Sequence, residues 1–395
     1  MPANVDITPV PFPAEGDAST SPPDAAEVVL ISRGFATAPA PSGGLTEVQR
    51  AVLNALVESM TGHAVDVAEL DPIGPAAFAE AMRYRTRAFR TRMVQTMLLA
   101  EMLLVPLPPE VTARVETYAA WLGVDDDMMG VVRRVAHGSL GLALIDFRRS
   151  GYFQQMLATP PETLHVSSAL EDAWQFRCDD PALFERWNAL GGCPPGSLGK
   201  GVWRFYDARG FTFPGHPESA PPNLAQHDWM HVLADYGSTV EGEIEVFGFI
   251  ARANDDPHAF ALLAMVLGLF ETGYLHDAAG LFQYDAHHLS RDATHMAARL
   301  ADAMYRGAMV GWHLDDNSRS HETDLMTTDW FAYADWPVDR VREHLGVLPR
   351  SPRALESGSR TPWERGGITS YQLDHGRAAA EARGAVYHSY GAAVL

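Results

Sequence analysis

Residues 227–243, HDWMHVLADYGSTVEGE, gather the side chains in this chain best suited to chemistry. His227 and His231 stand four apart, one turn of a helix. Both imidazoles therefore leave one face, as two ligands of one metal ion must. Asp228 is rotated about 100° from His227 but only about 60° from His231, which suits a further ligand or a group that holds one in place. Glu243 follows twelve positions after His231. On one unbroken helix it would sit about 18 Å further along the axis, out of reach. The candidate set is His227, Asp228, His231 and Glu243 around a divalent ion, with Asp228 also the candidate proton acceptor.

That set requires a particular local fold. PPNLAQHDWMHVLADYG reads as a helix that opens after prolines and closes at Gly237. STVE then reads as a capping box, with Ser238 as the cap and Glu241 reaching back. A second helix over VEGEIEVFGFIARA would fold back on the first and return Glu243 to the histidines. Asp256-Pro257 has the form of a third helix start, leading into HAFALLAMVLGLF.

The chain around this stretch reads as all-α. It has 395 residues, enough for more than one core. Residues 1–44 are rich in Pro, Ala, Ser and Gly and read as a disordered or loosely packed arm. Residues 45–150 have helical spacing in LTEVQRAVLNALVESMTG, AFRTRMVQTMLLAEMLLV, PEVTARVETYAAWLG and VDDDMMGVVRRVAHGSLGLALI. Residues 151–348 read as a second helical unit carrying the site, and 349–395 as a peripheral tail. GSLGKG at 196–201 lacks a preceding strand and the spacing of a phosphate loop. His288, Asp292 and His295 share one helical face in HHLSRDATH, the pattern of a solvated helix, and His313 beside LDDN reads as polar loop.

Composition narrows the functions. The net charge of −20, with 50 acidic against 30 basic residues, provides no basic surface for phosphates, so nucleic-acid binding is not expected. Cys178 and Cys193 are the only cysteines, too few for a disulfide framework. Lys200 is the only lysine among the basic residues, a skew that points to a GC-rich bacterial source. The first twenty residues lack the basic and apolar regions of a secretion signal, so a cytoplasmic location is expected, at most peripheral to a membrane. The apolar runs MVQTMLLAEMLLVPLPP and FALLAMVLGLF fall short of the roughly 20 residues of a membrane span and read as buried helices.

The motif His-Asp-x-x-His followed after eleven residues by Glu resembles the signature of the coenzyme Q (ubiquinone) biosynthesis protein four family. PPGSLGKGVWRFYDARGFTFPG (194–215), MYRGAMVG (304–311) and TTDWFAYADWPVDRVREHLGV (327–347) resemble flanking segments of that family in the same order. The resemblance covers residues 150 to 348. The helical block before it is loosely similar to tellurite-resistance TerB-like domains, without any residue-specific motif. The family resemblance implies a helical fold and a divalent ion. It also implies replacement of an aromatic ring carboxyl by hydroxyl, and an apolar groove for a prenyl-lipid or similar hydrophobic substrate. VWRFY, WMHVL and FALLAMVLGLFETGYL are candidates to line such a groove, although stripes of this kind commonly form plain helix core.

Two imidazoles and a carboxylate suit zinc with an open position, and equally the two-His-one-carboxylate set of non-haem iron, so the metal stays open between zinc and iron. Three classes follow. One is a metal-dependent enzyme acting on an aromatic, quinone-like or polyketide-derived molecule. Another is a lipid-binding or scaffold protein with a structural metal, as a homodimer or within a biosynthetic complex. The last is a metal phosphohydrolase, for which His216 and Asp255 are the available extra ligands.

Overall fold

The computed structural model describes residues 23–136, 179–217, 219, 224–254, 258–272, 287–313, 318–319, 324–326 and 328–388. Among these the chain is helical, as expected. The exception is a two-residue antiparallel pair, Trp312–His313 with Ser318–Arg319.

The first six helices among the described residues are α1 (Ala25–Thr37), α2 (Glu47–Thr61), α3 (Pro75–Ala81), α4 (Arg87–Glu101), α5 (Pro109–Leu122) and α6 (Asp127–Ala136). Their ends obey the local rules. Thr46 and Gln49 cap α2 reciprocally, and Gly62 and Gly123 close α2 and α5 in the left-handed conformation. The expected arm is corrected over its second half. Asp24 caps α1, and Val28, Ile31 and Phe35 are fully buried. Each such side chain contributes about 1.5–3 kcal/mol of burial, which docks a segment whose flanks look like linker. Residues 1–22 of that expectation, and 137–145 of the last helical pattern, lie outside the described residues.

Among the described residues nine further helices follow: α7 (Pro181–Asn188), α8 (Leu198–Arg209), α9 (Asp228–Leu233), α10 (Val240–Ala253), α11 (His258–Thr272), α12 (Ala293–Met309), α13 (Val338–Leu345), α14 (Pro352–Glu356) and α15 (Ser370–Ala382). The helix α10 is buried along its whole length except at Glu241, and its apolar side chains divide between two cores. Val240, Ile244, Phe247 and Ala251 join the core built by α1–α6 together with α11 and α12. Val246, Phe249, Ile250 and Ala253 join a second core of α7, α8, α9 and the Trp330 segment. Gly307 of α12 lets α12 press on α10, since a Cβ there would lie 2.0 Å from the Phe249 carbonyl oxygen.

The two apolar runs form α4 and α11, buried against each other. No helix among the described residues is long and apolar enough to cross a membrane. The tail expected to be peripheral is instead packed against α8 and the loop before α10. Gln372 and Gly376 of α15 are buried, and a Cβ on Gly376 would meet the Ala208 carbonyl oxygen at 2.2 Å.

Candidate metal centre

A short 3-10 turn, Leu224–His227, runs directly into α9, so His227 ends one element and His231 lies in the other. Three arginines hold the far end of α9, where carbonyls lack helical partners and cations are favoured. Arg342 donates to the carbonyls of Val232 (3.1 Å) and Leu233 (2.8 Å), and Arg306 to that of Ala234 (2.9 Å). Arg350 pairs with Asp235 at 3.1 Å. Arg306 and Arg342 belong to the MYRG and VREHLG segments, so those patterns now have a physical role in ending α9.

The break between the helices exists, but not with the expected residues. Asp235, at φ 65°, makes the left-handed turn assigned to Gly237; aspartate is among the few residues that tolerate it. Gly237 is needed for space, because a Cβ there would lie 2.6 Å from Gly367 Cα. Thr239, not Ser238, caps α10, its hydroxyl accepting from the Gly242 amide at 3.2 Å. Ser238 is occupied elsewhere: its hydroxyl accepts from Arg209 Nε at 2.5 Å and donates to Gln372 Oε1 at 2.8 Å. Glu241 does not close a box on Ser238, whose amide donates to the Gly367 carbonyl; its carboxylate meets His288 at 3.1 Å.

The hairpin brings all four expected residues together. Glu243 Oε2 lies 3.3 Å from His227 Nε2, and its Oε1 lies 3.2 Å from His231 Nε2. Asp228 Oδ1 is 3.4 Å from His227 Nε2. His227, Asp228 and His231 alone offer ligand atoms within 4.8 Å of one another, a group that can hold a metal ion. Phe205 stacks on His231 with centroids 4.8 Å apart, and Phe247 stacks on His227 at 5.2 Å. The site is deep: His231 is wholly buried, and Glu243 and Asp228 are 5% and 7% exposed.

Hydrogen bonding orients the donors. His231 Nδ1 faces the carbonyl oxygens of Tyr236 and Gly237, both at 3.1 Å. Carbonyls only accept, so Nδ1 carries a proton, and in the neutral imidazole Nε2 presents its lone pair. That Nε2 is buried without a hydrogen bond; its 3.2 Å approach to Glu243 is not in hydrogen-bond geometry. A bare imidazole nitrogen facing a carboxylate oxygen is two lone pairs opposed, which a cation between them resolves. The donor set therefore fits a divalent ion. Burial alone would raise the Glu243 carboxyl, but positive charge on His231 and His227 holds it well below the usual carboxylate range, as the charge of a bound ion would. Glu243 is thus ionised as a ligand must be.

Tyr206 is the residue that sequence reasoning missed. Its hydroxyl donates to Asp228 Oδ2 at 2.5 Å, and burial, then the Asp228 charge, push the phenol well above its ordinary value. It stays a neutral donor that leaves Asp228 Oδ1 facing the site. VWRFY contained it, but nothing in the spacing separated Tyr206 from ordinary helix core.

Other candidates separate from this site. His295 and Asp292 pair at 2.8 Å on an exposed face, as a solvated helix should. His288 departs from that expectation: it is largely buried against Glu241, whose carboxyl burial raises but His288 draws down to about 2. His216 is exposed beside Phe184, Asp255 lies outside the described residues, and His313 falls in the short strand pair. The amides of Leu198 and Gly199 donate to the carbonyls of Trp336 and Ala334, so the GSLGKG helix start has no free cradle for phosphate.

No family model matches the chain, and no curated protein matches it. Among solved structures it is similar to a protein of Nostoc punctiforme, assigned to ubiquinone biosynthesis and solved at 2.85 Å resolution. The identity is 18%, over 56% of this chain and 97% of that one, with a TM-score of 0.31. A superposition that loose says nothing about shared chemistry.

Proposed function

We propose that this protein is a metal-dependent enzyme acting on a hydrophobic aromatic or quinone-like small molecule, with His227, Asp228, His231 and Glu243 holding the ion. One observation carries the reading: a buried carboxylate faces the Nε2 atoms of two histidines, and that of His231 is buried without a hydrogen bond. A zinc or iron ion there would supply Lewis acidity toward a bound carboxylate or phenolate or, if iron, a site for oxygen chemistry.

The chain's own residues supply the rest. Tyr206 fixes Asp228 so that Oδ1 can accept a proton from a substrate hydroxyl. Phe205 and Phe247 wall the imidazoles and keep water from the ligand set. The aromatic substrate class, with exchange of a ring carboxyl for hydroxyl, comes from the motif resemblance over residues 227–243 and its flanking segments. The depth of the site favours a second reading, in which the ion is structural and the protein binds a prenyl lipid or organises partners.

The test is metal analysis of protein purified without added metal, beside His231→Ala. About one zinc or iron per chain, lost in the variant, is expected; equal content in both refutes the reading. Turnover of a prenylated hydroxybenzoate by the loaded protein separates the enzyme from the scaffold.

A further inference from the structure

The metal ligands lie on two elements joined by residues 234–239, so the geometry of the site depends on what holds that link. Ser238 is its most constrained residue. It is 1% exposed, and its amide, hydroxyl and carbonyl are all engaged by groups distant in sequence. Its amide donates to the Gly367 carbonyl at 2.8 Å, and the Gly237 amide beside it donates to the Arg360 carbonyl at 2.8 Å. Gln372 Nε2 donates to the Ser238 carbonyl at 3.0 Å, while its Oε1 accepts from the Ser238 hydroxyl. The fully buried Arg209 donates Nε to that hydroxyl and Nη2 to the Pro362 carbonyl at 3.1 Å, with its guanidinium 3.8 Å from the Phe205 ring centre.

These contacts reach the ligands from two sides. The carbonyls of Tyr236 and Gly237 set the tautomer and rotation of His231, and the peptides on either side of the Gly237 carbonyl carry the bonds just described. Past Ser238 the chain enters α10 at its Thr239 cap, four residues before Glu243. Phe205, stacked on His231, is itself covered by Arg209. Outer groups that fix a ligand's hydrogen bond commonly change metal affinity by about 10–100-fold.

We propose that Ser238, Arg209 and Gln372 are positioning residues of the metal centre, through which the C-terminal segment 360–372 sets the separation of His231 and Glu243. This rests on the metal-centre reading above. The segment lies beyond the stretch covered by the family resemblance, so it is this chain's own way of bracing the site. Gln372 is suited to the task because the same Oε1 accepts from the Thr369 amide, which makes the cap of α15 and the clamp on Ser238 one structure.

The test is a titration of the full chain, stripped of metal, with Co²⁺ alone, read by the visible ligand-field bands and the dissociation constant. Ser238→Ala removes only the hydroxyl. Gln372→Glu keeps the Oε1 acceptor but sets an oxygen against the Ser238 carbonyl. Tyr387→Phe, which removes the hydroxyl bonded to the Ala208 carbonyl and lies outside residues 360–372, is the control. Expected is Co²⁺ binding weakened about tenfold or more in the first two, with altered bands, and wild-type values in the control. Binding lost in His231→Ala but unchanged in affinity and spectrum in Ser238→Ala and Gln372→Glu overturns this proposal alone. Equal binding by wild type and His231→Ala overturns the metal centre and the proposal together. Failure of both clamp variants to melt cooperatively also overturns it, because the clamp would then be a folding device.

Discussion

Replacing Gly242 by alanine should dismantle the ligand set without removing a ligand. Gly242 precedes Glu243 in the first turn of α10, and a Cβ there would lie 2.0 Å from the Gly237 carbonyl oxygen. Cβ atoms essentially never approach other atoms closer than 3.0 Å, so the backbone must give by about 1 Å. Two effects then oppose each other. Alanine favours a helix over glycine by about 1 kcal/mol, which would stabilise an open position. Forcing atoms into a filled site costs about 1–3 kcal/mol, and here the obstacle is backbone that is itself tied to Arg360 and Gly367. Strain should win, and the melting temperature should fall. The centre should suffer more than the fold, since a displacement of about 1 Å exceeds the roughly 0.5 Å within which such constellations function. Competitive Zn²⁺ titration against a chromophoric chelator should show affinity lower by about 10–100-fold, in protein whose far-ultraviolet circular dichroism is unchanged. A Gly242→Ala protein that melts at or above the wild-type temperature and binds Zn²⁺ equally well would refute the argument.

Further outcomes follow from the buried polar groups. Tyr206→Phe strips the donor from Asp228 Oδ2; a loss of about 1–3 kcal/mol in denaturant unfolding and metal binding weaker by about tenfold are expected, and no change in either speaks against an orienting role. Arg299→Met leaves Glu245, which is fully buried and paired with Arg299 at 2.5 Å, without its counter-charge. Unfolding free energy should drop by about 3–5 kcal/mol, and adding Glu245→Leu should recover most of it. Glu101 is fully buried, and burial first of all raises its carboxyl well above the ordinary value of 4.5. The folded protein thus holds the proton that the unfolded chain releases, so the contribution of Glu101 to stability is full below about pH 4.5 and declines as pH rises above it. Glu101→Gln should flatten that decline; parallel stability–pH curves for the two proteins would count against it.

Much of the helical framework was legible because its signals are local. LTEVQRAVLNALVESMTG carries its own periodicity, its threonine cap and its terminal glycine, and α2 uses all three. FALLAMVLGLF was readable as a buried helix because an apolar run of that length has few alternatives. The ligand set was legible for the same reason: a His-Asp-x-x-His spacing is one helical turn, and a Gly-Ser-Thr interruption announces a break. Local signals also misled. STVE could cap from Ser238 or Thr239, and only the competing demand of Arg209 and Gln372 for the Ser238 hydroxyl decides between them. Residues 25–37 and 370–382 sit in linker-like composition, although Thr369 with Gln372 is a capping box that marks a helix start.

The sequence by itself determined the residue types of the site, the turn that aligns its histidines and the need for a break before Glu243. The tertiary structure decided where that break falls and how the ligands are held. Arginines from α12 and α13 end α9, a tyrosine from α8 orients Asp228, and a C-terminal segment more than a hundred residues away fixes Ser238. The physical reason is range. Periodicity and capping are properties of neighbouring residues, whereas satisfying a buried carbonyl, hydroxyl or carboxylate depends on whichever distant donor the packed core delivers.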